Sequence, residues 1–149
     1  MLLPSFNENG DLPPGIHRAT LSETLRHFGT GSPQRKVIAT RLERIYRLVL
    51  STGYLSRFVV FGSFITAREK PNDVDVFILM EDSFYLTGHT GEARLLFSNH
   101  AVAQSRFGVS VFWMRRLAAL DGEERAIEDW QVKRDGGKRG IVEIIEESL

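Results

Sequence analysis

Residues 57–80 hold two short β-type runs, RFVVF and DVDVFILM, separated by a spacer that carries Gly62, Pro71 and Asn72. Continuous apolar runs of this length, bounded by turn residues, are the pattern of strands covered on both faces. A chain with two such strands has to build a sheet and find helices to cover it. The helical periods elsewhere answer that need.

Thr20-Leu21-Ser22-Glu23 has capping-box spacing, and Leu21, Leu25 and Phe28 recur at helical intervals until Gly29 and Gly31 stop them. Ser32-Pro33 predicts an N-cap followed by proline in the first turn. Ile38, Leu42, Ile45 and Val49 then form an apolar stripe, and Gly53 marks its end. Arg35, Arg41, Arg44 and Arg47 decorate this helix, as a solvated face or as a surface for an anionic partner. Arg57–Phe61 and Asp73–Met80 read as strands, residues 92–106 as a helix of weak period, and Gly108–Met114 as a third strand. Asp121-Gly122-Glu123-Glu124 has capping-box spacing ahead of a helix with Ala126, Ile127 and Trp130. A turn at Arg134–Gly137 leads into a last strand, Ile141–Ile145. The expectation is one mixed α/β (α+β) domain over 1–149, with helices in 20–53 and residues 1–16 an extended arm, laid on the domain or loose.

The balance of 19 basic and 19 acidic residues argues against a broad nucleic-acid surface and allows a local basic patch. Without cysteine there is no disulfide, thiolate metal site or thiol nucleophile. The start lacks the charge-then-apolar pattern of a signal peptide, and no apolar stretch reaches a membrane span, so a cytoplasmic protein without membrane contact is expected.

On a strand of period two, Asp73, Asp75, Phe77 and Leu79 share one face, and Val74, Val76, Ile78 and Met80 the other. Two carboxylates about 7 Å apart at Cβ can converge on a hard cation, and unpaired they repel. Mg²⁺ accepts such oxygen ligands and leaves room for phosphate oxygens. Gly62-Ser63, directly after a buried strand, suits close approach of a phosphate, with Ser63 expected to cap a short helix from Phe64 to Arg68. Arg68 and Lys70 add positive charge in the spacer. An isolated Gly-Ser or an Asp-x-Asp turn cap explains each half alone; the two in this order favour a metal–nucleotide site.

This pattern resembles the nucleotidyltransferase superfamily that includes DNA polymerase beta, kanamycin nucleotidyltransferase and the small MNT proteins of bacterial toxin–antitoxin pairs. The match is Phe61-Gly62-Ser63, nine intervening residues, then Asp73-Val74-Asp75-Val76. The whole chain also looks like an uncharacterised bacterial family with LPPGIH near its start, GSFITAREKPNDVDV in its core and RDGGKRGIVEI near its end. The resemblance implies a minimal nucleotidyltransferase fold, a small mixed sheet flanked by helices. It implies that Gly62 and Ser63 hold NTP phosphates and that Asp73 and Asp75 bind Mg²⁺ or Mn²⁺. It implies transfer of a nucleoside monophosphate to a protein or RNA hydroxyl, with a toxin or antitoxin as a protein partner. A third carboxylate belongs on a later strand, where this chain has Ser110 in Val109-Ser110-Val111; Glu92 and Asp121 are the substitutes. A serine there implies attenuated activity, a group supplied by a partner, or a module that only binds.

The remaining signals are weaker. P-loop and dinucleotide-binding fingerprints and a serine-hydrolase elbow are missing. His17, His27, His89 and His100 lack zinc spacing, and Trp113 and Trp130 read as core residues, with base stacking the rival. Lys133, Arg134, Lys138 and Arg139 read as a solvated turn or as a clamp on phosphate or RNA.

Overall fold

The computed structural model describes residues 3–146. Its centre is a five-stranded mixed sheet in the order β1-β5-β2-β3-β4, built from Ile16–Thr20, Ile141–Ile145, Leu55–Phe61, Val74–Met80 and Val109–Arg115 respectively. β2 runs antiparallel to both β3 and β5, while β1 pairs parallel with β5 and β4 parallel with β3. The mixed α/β architecture expected from sequence is present, with one strand more than the four anticipated. β1 is five residues at the sheet edge with a histidine and an arginine in it, too short and polar to stand out by pattern.

Helix α1 (Leu21–Phe28) opens on the expected capping box: Thr20 Oγ1 accepts from the Glu23 amide at 3.1 Å, and Glu23 Oε1 accepts from the Thr20 amide at 3.0 Å. Helix α2 (Pro33–Ser51) starts on Ser32, whose hydroxyl accepts from the Arg35 amide at 3.1 Å. The expected helix over 92–106 is two helices, α3 (Gly91–Ser98) and α4 (His100–Phe107). Asn99 is extended between them and caps α4 through the Val102 amide at 2.8 Å, which is why no single period runs through the segment. Helix α5 (Glu123–Glu128) forms without the expected capping box; Gly122 occupies the cap position and makes no side-chain bond.

Both faces of the sheet are covered, unequally. On one side the helices bury Phe28, Ile38, Leu42, Ile45, Phe58, Val60, Val76 and Ile78 in the main core, each side chain contributing roughly 1.5–3 kcal/mol by its removal from water. On the other, a smaller cluster joins Val59, Phe77, Leu79 and Ile141 to Ile127 of α5, with Trp130 packed against it. Phe77 and Leu79, on the face shared with the two aspartates, are therefore 1% and 0% exposed. This thin second layer ends at Trp130. Beyond it lies a gap in the cover, bordered by the row Phe61–Asp75–Ser110, which is aligned across β2, β3 and β4.

Candidate functional site

That gap in cover is an open cleft of about 900 Å³. Asp73, Asp75 and Ser110 line it beside Gly62 and Ser63. Arg68, Lys133, Arg134 and Arg139 supply cationic walls, and Phe61, Phe112 and Trp130 an aromatic one. Of the residues singled out in sequence, six of the site set were Asp73, Asp75, Gly62, Ser63, Arg68 and Lys70; the fold brings the first five together. Lys70 is exposed and is not among the lining residues.

Gly62 has φ +87° and ψ −164°, a backbone conformation that favours glycine. A Cβ there would lie 2.0 Å from Asp75 Oδ2 and 3.0 Å from Asp75 Cγ. Its first role is thus to leave space for the Asp75 carboxylate, whose residue sits opposite Phe61 across the ladder. The helix that follows differs from expectation: it is one 3₁₀ turn, Ser63–Ile65, with no side-chain cap from Ser63. The turn is closed instead by Thr66, whose hydroxyl donates to the Ser63 carbonyl at 2.7 Å.

The spacer between the turn and the aspartates is held from below by Arg35, which the sequence placed among the solvated arginines of α2. It is 8% exposed. Its guanidinium donates to the carbonyls of Phe28 (3.0 Å), Phe64 (2.7 Å), Thr66 (2.7 Å) and Arg68. Burial pushes its pKa down, and the carbonyl fork is what keeps a buried cation tolerable. Arg44 and Arg47 remain exposed and paired with Glu92 and Glu43.

Asp75 is electrostatically strained. Burial, then the charge of Asp73, pushes Asp75 up to about 6 from an ordinary 3.8; Ser110, Arg139 and His100 pull weakly the other way. Ser110 Oγ donates to Asp73 Oδ2 at 3.0 Å and Gln104 Nε2 approaches the same oxygen at 3.4 Å. Ser110 is the cross-strand partner of Asp75 in β4, so the hydroxyl stands beside the pair where a third carboxylate would complete a triad. Neither Glu92, paired with Arg44, nor Asp121 lines the cleft. Among the described residues no group of three histidine, aspartate, glutamate or cysteine side chains gathers as a metal-ligand set.

The two terminal motifs meet at this cleft. Leu12 is fully buried, its carbonyl accepts from Gly140 at 2.9 Å, and the Gly15 carbonyl accepts from Ile141 at 3.0 Å. Asp11, also buried, accepts from Lys133 Nζ at 3.1 Å and lies 3.8 Å from Arg139 Nη1. The arm is laid on the domain, and it fixes two cations of the cleft wall. Sequence reasoning missed Asp11 and Arg35 because their partners lie 122 and up to 33 residues away.

The fold and cleft define a mixed α/β protein with a polar, carboxylate-floored site at one end of its sheet. Over residues 4–145 the chain matches a family described as a family of unknown function, DUF6932, and it belongs to that family. The comparisons with curated proteins and with solved structures gave no match. Among the described residues no helix is long and apolar enough to cross a membrane.

Proposed function

We propose that this protein is a nucleotidyltransferase-like protein that transfers a nucleoside monophosphate from an NTP to a hydroxyl, in the cytoplasm. The observation that carries the reading is the convergence of Gly62-Ser63, Asp73 and Asp75 on one cleft walled by arginine and lysine. In the reaction the acceptor hydroxyl gives its proton to water, its oxygen bonds to the α-phosphorus, the bond to the α–β bridging oxygen breaks, and pyrophosphate departs with that electron pair.

The donor set fits Mg²⁺ or Mn²⁺: two carboxylates and a hydroxyl, all hard oxygens, with Asp75 pushed upward first by burial and then by the charge of Asp73. Asp73 and Asp75 would hold the ion, which supplies charge neutralisation on the triphosphate. Ser63 and the Gly62 turn receive phosphate oxygens, and Arg68 meets the charge of the departing pyrophosphate. Most of the rate enhancement expected from such a site is positioning and electrostatics.

A second reading rests on Ser110. A hydroxyl cannot take the acceptor's proton at neutral pH as a carboxylate can. A catalytically weak or inactive module that binds a partner, such as a toxin it masks, follows if no other group serves. Melting curves with Mg²⁺ or Mn²⁺ and each NTP test the first reading. The protein is expected to melt higher with metal and nucleotide together, because a ligand stabilises the state it binds, and Asp75→Asn is expected to abolish that shift. No shift in the wild type leaves the binding module.

A further inference from the structure

Besides its carboxylates the cleft has a lining that is aromatic and cationic at once. Phe61 and Trp130 pack with centroids 4.5 Å apart and rings tilted, Phe112 and Trp130 at 5.1 Å, and His100 lies 5.0 Å from Phe112. Phe112 is 38% exposed, so part of this aromatic cluster is open to a ligand. Lys133, Arg134, Arg139 and Arg68 line the same cleft. Asp11 anchors Lys133 and Arg139, whereas among the described residues the Arg68 and Arg134 guanidinium groups make no hydrogen bond or ion pair with protein.

In a chain of zero net charge, four cations gathered on one cleft, against the carboxylates of Asp73, Asp75 and Asp135, are a local arrangement rather than a general property of the surface. Flat π-faces beside unpaired guanidinium groups are the complement of unpaired bases joined by phosphates. A duplex offers phosphates but keeps its bases stacked on one another. A peptide acceptor needs neither the cations nor the open aromatic face.

We infer that the cleft takes an unpaired nucleic-acid strand, its bases on Phe112 and Trp130 and its phosphates on Arg134, Arg68 and Lys133. A hydroxyl of that strand is the acceptor, a clause that rests on the transfer reading above; the binding itself does not.

The test is fluorescence anisotropy of end-labelled RNA and DNA strands of about ten nucleotides, within the span such sites cover, and of the same RNA annealed to its complement. The full chain is used, with Mg²⁺ and without nucleotide. Single strands are expected to bind more tightly than the duplex, and the RNA and DNA arms show which sugar is preferred. Phe112→Ala is expected to weaken binding roughly 5- to 100-fold, with Phe112→Tyr restoring it. Arg134→Ala is expected to weaken binding and to lower the salt slope by about 0.7, the value of one lost phosphate contact to a single strand. Arg47→Ala, on α2 away from the cleft, is expected to bind as wild type. Equal binding of duplex and strand, indifference to both cleft substitutions, or no strand binding overturns the inference. Strand binding without a melting shift from metal and NTP sustains it and refutes transfer. A melting shift without strand binding refutes this inference alone.

Discussion

The Cβ that Gly62 lacks would fall 2.0 Å from Asp75 Oδ2, so the glycine of the turn and the second aspartate of the strand are parts of one packing arrangement. Gly62→Ala is therefore expected to do two things. It forces an L-residue to φ +87° and ψ −164°, a region almost confined to glycine, at about 1–3 kcal/mol, and it pushes the Asp75 carboxylate from its place. The melting shift given by metal and nucleotide is expected to fall with it. A Gly62→Ala protein that melts and responds to ligand as wild type would contradict this coupling.

Asp75 sets a pH dependence of stability whose sign follows from its raised pKa. The folded state holds the proton more tightly than the unfolded chain. This contribution is fully present below about 3.8 and lost as pH rises through about 6. Glu23, lowered by its bonds to Thr20, works in the opposite sense at lower pH. The measurement is therefore the difference between wild type and Asp75→Asn in urea denaturation at pH 4 to 7.5, without divalent cations. Asp75→Asn is expected to gain on the wild type by about 1–2 kcal/mol across that range, the rise of Asp75 from 3.8 to about 6 being discounted for partial solvent access. A flat difference would place the strain elsewhere.

Ser110→Asp tests the missing carboxylate. Its side chain enters beside Asp73 and Asp75, so without divalent cation the variant is expected to melt below wild type through added repulsion. With Mg²⁺ it is expected to recover more than wild type does, and to raise NMP transfer to any acceptor that wild type modifies. A variant indifferent to Mg²⁺ in both assays would show that position 110 does not face the ion.

Arg35→Met would leave the buried carbonyls of Phe28, Phe64 and Thr66 without their donor. The expected cost is about 2–4 kcal/mol, since each buried acceptor left unsatisfied incurs its full desolvation penalty. Lysine cannot reproduce the planar fork, so Arg35→Lys is expected to recover only part of it. Denaturant melts give the cost, and faster amide exchange in residues 64–68 would locate it. A loss spread evenly over the protein, with the spacer unchanged, would argue against this anchoring role.

What could be read along the chain was whatever depends on neighbours a few residues apart. The Thr20–Glu23 box, the Ser32 cap, the alternation of β3 and the Gly62-Ser63 turn before Asp73 and Asp75 are such features, and each lies where the spacing put it. Periodicity also placed four of five strands within one or two residues at their ends. Tertiary structure alone decided the rest. Arg35 carries the same sequence signal as Arg44 and Arg47, and only the arrival of the Phe64–Arg68 carbonyls above it makes it a buried anchor. Asp11 and Lys133 stand at opposite ends of the chain, and the parallel pairing of β1 with β5 brings them within 3.1 Å. Phe61, Phe112 and Trp130 come from three separate elements, so no spacing records their packing. Local propensity is written in short intervals, whereas a binding wall is assembled by sheet order, and sheet order depends on the burial of every strand at once.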